Sequence, residues 1–434
     1  MERVLALAAT PAERLPQEAL RLATLSLFDW LAVGLAGVGE PVGALVRGLV
    51  EDEAGRPAAS VFGGEKVPAR AAALANGTIS HALDYDDTHF AHIGHLSVGI
   101  YPAALAVGEA VDAGAAAVRD AFLLGAETAC RVGVVLGREH YERGFHQTAT
   151  AGAFGATVAA GRLLGLDAAA MRNALSLVAT RASGLKSQFG TMGKPYNAGA
   201  AASNGVEAAL LAQRGLISCD DGLGGLQGFL DTHAEATHEA EAWREPLPER
   251  FLFEDNQYKL HACCHGTHAM LNALLEAKER HRLTPDDVER IALRTNPRWL
   301  RVCDLKAPRT GLEAKFSYAL LAAMALAGVD TAADRSYVDA LCVDPALLAT
   351  AARVSVAGDA AVSDTAAELT LTLRDGRTIP VTHDLSARIP PERLAAGLQR
   401  KAAALIGEAQ RLWAATNALD ALSARALGDL IRGC

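Results

Sequence analysis

Aromatic residues are scarce in this chain: they make up 5% of it, although half of it is hydrophobic. The apolar content is therefore mostly Ala, Leu and Val, which suits closely packed helices. Long runs of one charge are missing too. The net charge is −9, with both signs spread along the chain. No basic stretch is long enough to follow a phosphate backbone, so nucleic acid is not an expected partner. The negative total says nothing about a substrate, because a site can be locally positive. Cysteines are few, odd in number and irregularly spaced: Cys130, Cys219, Cys263, Cys264, Cys303, Cys342 and Cys434. A chain of 434 residues needs no disulfides to build a core, so reduced thiols in the cytosol are expected. The opening MERVLALAATPAERLPQ lacks the basic start and long apolar centre of a signal peptide. Apolar runs such as 317–328 fall short of a membrane span. These absences point to a soluble, cytoplasmic protein with no membrane partner, long enough for two or three domains.

Leu22, Leu25, Phe28, Leu31 and Leu35 recur at helical spacing, which predicts a helix over 14–36 ending before Gly37. Further helices are predicted at 41–52, 102–113, 116–137, 150–164, 167–182 and 197–214. No strand-like alternation occurs before about residue 250. Beyond it, VERIALRT at 288–295 and AAELTLTL at 366–373 alternate like strands. Asp375-Gly376 between the latter and RTIPVTH marks a hairpin. Helices are expected at 264–281, 311–327 and again from Pro391 to Ile431. The pattern gives a mainly α protein: an all-helical domain over 1–255 and 391–434, and a smaller α+β domain over 256–390. GLGGLQG at 222–228 has the wrong glycine offsets for a dinucleotide fingerprint and no preceding strand, so it is read as a turn.

What the chain does have is a dense polar stretch, ISHALDYDDTHFAHIGHLSV at 79–98. Asp84, Asp86 and Asp87 would repel one another without a cation, a proton or a hydrogen-bond donor nearby, which suggests a buried pocket. Read as a helix, the stretch puts His81, Asp84 and Thr88 on one face and Tyr85 with His89 on the next, with Gly94 ending it before His95. Three other clusters carry chemistry: HYERGFHQT at 140–148, the loop GTMGKP at 190–195, and YKLHACCHGTH at 258–268. Pro195 suits the first position of a helix, whose free N–H groups beside Lys194 would cradle a carboxylate. Ala198, Ala202, Gly205 and Ala209 form a small face for close helix contact.

Metal chemistry is weighed against this. His89, His92 and His95 fall at three-residue intervals, and Cys263, Cys264, His265 and His268 are crowded together. Neither group has a zinc spacing such as CxxC pairs or HExxH, and adjacent cysteines on a helix point about 100° apart. A Cys–His nucleophile at Cys264 is a weak signal without geometry. The remaining chemistry is acid–base work on an anionic substrate, with lysines holding carboxylates and a histidine moving a proton at carbon. It calls for no cofactor.

Taken together, ANGTISHALDYDDTH at 75–89, HLS at 95–97, HYERGFHQTAT at 140–150, GTMGKPYNAGAAASNGVEAALLAQRG at 190–215, YKLHACCHGTHA at 258–269 and GLEAKFSYAL at 311–320 resemble the MmgE/PrpD family. That family includes 2-methylcitrate dehydratase, cis-aconitate decarboxylase and iminodisuccinate epimerase. The resemblance implies a helical domain built from both chain ends plus an α+β lid, a homodimer, no metal, and an active site in the cleft between domains. With it, catalytic roles are expected on Asp84, His95, His146, Lys194, Lys259 and Cys264, and substrate binding on Thr88, Tyr85 and the two lysines. Cys264 stands where the decarboxylase has a catalytic histidine, Asn197 where many members have histidine, and Leu320 where tyrosine is common. The expectation is a lyase without cofactor acting on a small di- or tricarboxylate, a 2-methylcitrate dehydratase-like enzyme first, an epimerase or decarboxylase second. A metallohydrolase on His89, His92 and His95 and a catalytically silent acid binder are the readings from outside that chemistry.

Overall fold

The computed structural model describes residues 1–244 and 247–433; Cys434 lies outside the described residues. Among the described residues helix makes up 58% and the sheet has four strands, so the protein is mainly α with a smaller α+β part. It divides into two compact units, Met1–Tyr258 with Ile406–Cys434, and Lys259–Leu405. The helix Pro391–Ile406 therefore counts almost wholly with the second unit. The return to the first comes some fifteen residues later than the hydropathy pattern suggests.

In the first unit the scarce aromatics are gathered rather than spread. Trp30 stacks on Tyr101 at 5.5 Å and meets Phe62 edge-on at 5.1 Å, and Tyr101 stacks on Phe122 at 3.6 Å. Elsewhere the helices touch through alanine and glycine. A Cβ on Gly199 would come within 2.3 Å of the Leu74 carbonyl oxygen and Thr78 Oγ1, and one on Gly205 within 2.5 Å of the Ala156 methyl. The small face of Gly193–Gln213 thus lets that helix lie directly on Ala69–Ser80 and Gln147–Leu163. This contact matters for function, because it sets the ends of all three helices in one place.

The helix Gln17–Gly37 is long and apolar enough to cross a membrane, contrary to the expectation that no apolar run reaches that length. However, 72% of its most apolar stretch is buried inside the structure. Ala115–Arg143 runs past the expected end at 137. Gly137, at φ +71°, kinks it there, and helix resumes to Arg143. GLGGLQG is a turn, its Leu223 and Gly224 N–H groups donating to Asp221 Oδ1.

The second unit carries strands β1 (Val288–Thr295), β2 (Val354–Gly358), β3 (Ala366–Leu373) and β4 (Thr378–Asp384), in the order β2-β1-β3-β4. β3 pairs antiparallel with β1 and β4, and the β3–β4 turn has Gly376 at φ +88°. β2, parallel to β1, is absent from the sequence-based expectation: five residues at an edge, half exposed, leave too little alternation to read. Along β3, Ala367, Leu369, Leu371 and Leu373 are buried, beneath the helix His268–His281.

Candidate active site

The polar stretch is not a helix. Ala69–Ser80 ends at His81, and Asp84 sits at φ +50°, a left-handed conformation that stops a helix. Residues 81–96 form turns instead. His89 and Gly94 pair through their backbones, and so do Thr88 and Gln257, at 2.8 and 2.7 Å. Asp87 explains why the next helix starts where it does. Its Oδ1 accepts from Ser97 N–H at 3.1 Å and its Oδ2 from Ser97 Oγ and Asn256 Nδ2, so the N-terminus of Ser97–Ala110 is tied to the stretch. A non-glycine residue held at positive φ among charged groups is the kind of strain that collects at functional sites.

The result is that Asp84, Asp86, His81, His95, His146 and Lys194 come together, though not by the shared helix face the spacing suggested. Lys194 Nζ lies 2.6 Å from Asp84 Oδ1, and His95 Nε2 lies 3.6 Å from the same oxygen. Asp86 is fully buried, with Oδ1 2.8 Å from His81 Nδ1 and Oδ2 2.8 Å from His95 Nδ1. The His81 and His95 rings are 4.6 Å apart, and His146 is 6.2 and 6.4 Å from them. Phe189 closes on His146 edge-on at 4.9 Å and lies 5.4 Å from Lys194 Nζ. Tyr85 is buried and Thr88 half-buried.

The hydrogen bonds set the proton positions. His95 Nδ1 is 2.8 Å from the Asp87 carbonyl oxygen as well as from Asp86. Both neighbours are acceptors, so Nδ1 carries the hydrogen, and neutral His95 keeps a lone pair on Nε2, towards Asp84 and Lys194. His146 is the reverse. Asn197 Nδ2, which also donates to the Leu185 carbonyl oxygen, lies 3.1 Å from His146 Nδ1. Nδ1 therefore accepts, and neutral His146 carries its hydrogen on Nε2.

Burial dominates the electrostatics. It lowers His81 to about 4, against the pull of Asp86. It also holds His146 well below the usual histidine range, helped by the charges of His81, Lys194 and His95. Burial pushes Asp86 up, but the imidazoles of His81 and His95 outweigh it and keep this carboxylate ionised. Asp87 moves the other way, raised by burial and by the Asp86 charge despite its hydrogen bonds.

The helix N-terminus at Lys194 offers no carboxylate cradle. Pro195 is the third helical residue, not the first. Gly193 N–H already donates to Thr191 Oγ1 and Lys194 N–H to the Thr191 carbonyl oxygen, and Pro195 has no N–H to give. The lysine side chain itself is what remains for an anion.

The metallohydrolase set does not converge. His89 Nδ1 accepts from His92 N–H and its Nε2 donates to the Leu252 carbonyl oxygen, so both nitrogens are spent on backbone. His92 is fully buried and presses on Gly133, where a Cβ would lie 2.2 Å from its Nδ1. Donor atoms of a different group, His81, Asp84, Asp86 and His95, lie within 4.8 Å of one another. They are compact enough to hold a cation, and the Lys194 ammonium already stands against Asp84.

Lys259 and Cys264 belong to the second unit. Lys259 is buried, and its charge helps to keep His268 neutral. His261 binds Thr331 Oγ1 at 2.7 Å and Asn272 Oδ1 at 3.0 Å. Cys264 is half-buried and accepts from Cys303 Sγ. His140, in the third cluster, spends both nitrogens on the His233 carbonyl oxygen and Thr150 Oγ1. Leu320 is core.

Residues 6–241 match the MmgE/PrpD N-terminal domain and residues 261–408 the MmgE/PrpD C-terminal domain. The chain belongs to the MmgE/PrpD family. Among curated relatives, a cis-aconitate decarboxylase-like protein (oryM) of Aspergillus oryzae is 29% identical over 60% of this MmgE/PrpD chain and 57% of its own. A cis-aconitate decarboxylase of Aspergillus terreus is 27% identical over 62% of this chain and 57% of its own. That of Mus musculus is 26% identical over 63% and 59%. The chain thus spans under three-fifths of each relative it matches.

Proposed function

We propose that this MmgE/PrpD chain is a lyase that moves a proton at a carbon next to a carboxylate of a small di- or tricarboxylic acid, and that the outcome is elimination of water. One observation carries the reading: two imidazoles of opposite tautomer, His95 and His146, stand 6.4 Å apart beside a lysine that is paired to Asp84. Elimination of water needs a base at carbon and a donor at the leaving oxygen. His95, with its Nε2 lone pair, is the base. His146, with its Nε2 hydrogen, is the donor. Lys194 takes a substrate carboxylate, and Asp84 gives up part of that lysine when the acid arrives. Thr88 donates a hydrogen bond to the substrate. Acid–base help of this kind is typically worth ~10²–10⁴-fold.

A second reading is decarboxylation, favoured by the names of the relatives. It uses the same carbanion, formed by loss of carbon dioxide and quenched by a proton from an imidazole. The experiment that separates them is proton NMR of purified protein in heavy water with citrate, 2-methylcitrate, cis-aconitate and iminodisuccinate. Deuterium incorporation with formation or hydration of a double bond supports the first reading. A product one carboxyl shorter supports the second. Unlabelled, unchanged acids throughout would refute both.

A further inference from the structure

Asp86 has no role in the expectations drawn from the family motif, yet it is the most enclosed charge of the site. It is fully buried, and each of its oxygens lies 2.8 Å from a different imidazole, one on His81 and one on His95. Its neighbour Asp87 points elsewhere, to Ser97 and Asn256. Asp84, three positions earlier, is half exposed and pairs with Lys194. Three adjacent carboxylates thus have three separate tasks. We propose that Asp86 is a positioning residue that holds His81 as its Nδ1–H tautomer and supplies the counter-charge when His95, whose Nδ1–H is fixed by the Asp87 carbonyl oxygen, takes up a proton on Nε2.

His81 is the inner member of this relay. Its Nδ1 donates to Asp86 Oδ1, while its Nε2 is buried with no hydrogen-bond partner among the described residues. A buried imidazole that holds a carboxylate from behind fixes that carboxylate's orientation. A carboxylate fixed this way keeps its second oxygen 2.8 Å from His95 Nδ1, at ion-pair distance, while the Nδ1 hydrogen goes to the Asp87 carbonyl oxygen. In proton terms, the substrate C–H proton goes to His95 Nε2, the electron pair stays on carbon, and the positive charge formed on the ring faces Asp86, which remains ionised throughout.

The inference rests on the acid–base reading of the site, but its test does not need the substrate. Long-range ¹⁵N–¹H NMR of the resting enzyme at neutral pH reads each histidine tautomer. Both His81 and His95 are expected as Nδ1–H with an unprotonated Nε2. A wild-type His95 protonated on Nε2 instead would overturn the proposal, whatever acid the enzyme uses. In Asp86→Asn, the Nδ1–H signature of His81 should be lost or mixed, while His95 keeps its hydrogen bond to the Asp87 carbonyl oxygen. Turnover should fall by about 10²-fold, the lower end of the acid–base range, with KM little changed, and the acidic limb of the pH profile should move. Asp86→Asn with wild-type tautomers and an unmoved pH profile would also overturn it. Should that variant not fold, the wild-type tautomer measurement still decides.

A second observation, in the α+β unit, stands by itself. Cys303 Sγ donates to Cys264 Sγ at 3.3 Å, across 39 positions of sequence. Cys303 is fully buried at the end of the helix Pro297–Cys303, and Cys264 is partly exposed. A reachable sulfur backed by a buried thiol is the arrangement of a redox pair with a resolving cysteine. We infer that these two residues are a modification site for hydroperoxides, closing to a reversible disulfide. The Cys264 thiol is oxidised to the sulfenic acid as the peroxide O–O bond breaks and water, or the alcohol of an organic hydroperoxide, leaves. The Cys303 thiol then attacks that sulfur, the S–S bond forms, and water carries off the sulfenic oxygen. Two electrons pass from the sulfurs to the peroxide. The sulfurs need to close only from contact to about 2.05 Å. Cys263 is the wrong partner: its sulfur is held by Thr267 Oγ1 at 3.1 Å, whereas the Cys303 sulfur already touches Cys264.

Hydrogen peroxide treatment, alkylation and non-reducing peptide mapping test this. The expected result is a Cys264–Cys303 cross-linked peptide, lighter by two hydrogens and released by dithiothreitol. Cys303→Ser should instead accumulate a Cys264 sulfenic acid that dimedone traps. Over-oxidised Cys264 without a cross-link in the wild type, or a cross-link to Cys263, would refute the pair.

Discussion

Two histidine-rich segments, 79–98 and 258–268, look alike in sequence and are built on different principles. In the first, titratable groups face one another: His81 and His95 share Asp86, and Asp84 faces both His95 and Lys194. In the second, the hydrogen-bond partners of His261 and His268 are neutral. His261 is held by Thr331 and Asn272, and His268 reaches the Cys263 carbonyl oxygen. Both segments are buried enough to keep imidazoles neutral, with His81 and His261 each lowered to about 4. Low pKa alone therefore does not mark a site. What separates the two is whether the partner is a charge that can respond when a proton moves. A hydroxyl or an amide fixes a ring, whereas a carboxylate also stabilises its protonated form.

The comparison can be broken by substitution. His95→Gln should cost the most, a loss of ~10²–10⁴-fold in turnover with the melting temperature little changed, read by steady-state kinetics and calorimetry. Equal turnover in wild type and variant would move the base elsewhere. Next is Lys194→Ala. A hydrogen bond to a charged group is worth roughly 1.5–3 kcal/mol, so KM should rise by one to two orders of magnitude while kcat changes less. His261→Ala in the second segment should show the opposite pattern. It strands Thr331 and Asn272 at a cost of about 1–3 kcal/mol, seen as a lower urea midpoint, and leaves His95 and His146 unaltered. Gly199→Ala forces a methyl against the Leu74 carbonyl oxygen and should cost about 1–3 kcal/mol. It should also lower activity, because it parts the helices that carry Lys194 and His81.

Smallest per unit of change is an effect of pH. Burial lowers His92 from 6.5 to about 3, so it binds its proton more readily in the unfolded chain than in the fold. Its neutral burial is fully favourable above 6.5, and stability is lost as pH falls from there towards 3. His92→Leu removes that dependence. The stability of the variant relative to wild type should rise on acidification through this window, by at most about 1.4 kcal/mol per pH unit. A difference that stays flat with pH would show that His92 is not held neutral by the fold.

Much of this was legible in the sequence. Leu22 to Leu35 at helical spacing, VERIALRT, AAELTLTL and the Asp375-Gly376 hairpin all report their elements through local periodicity. Asp84, His95, His146 and Lys194 stand out in the sequence and lie together in the structure, but not by the helix face that the spacing suggests. A helix through 81–94 cannot place Asp86 between His81 and His95. Only the turn created by Asp84 at positive φ does, and αL conformation in an aspartate leaves no spacing signal. The crowding of Asp84, Asp86 and Asp87 was the one available hint, since three carboxylates so close must each find a different partner. The opposite tautomers of His95 and His146 were out of reach for a similar reason. They depend on the Asp87 carbonyl oxygen and on Asn197, and neither backbone acceptors nor amide orientation can be read from residue order.

The central claim is that His95 Nε2 takes a proton from carbon beside a carboxylate held by Lys194. The most direct measurement is the rate at which deuterium from heavy water enters that carbon position of the accepted acid, compared between wild type and His95→Gln at saturating substrate. The account predicts incorporation by the wild type and a rate lower by about 10²-fold or more in the variant. Equal rates in the two proteins would contradict it.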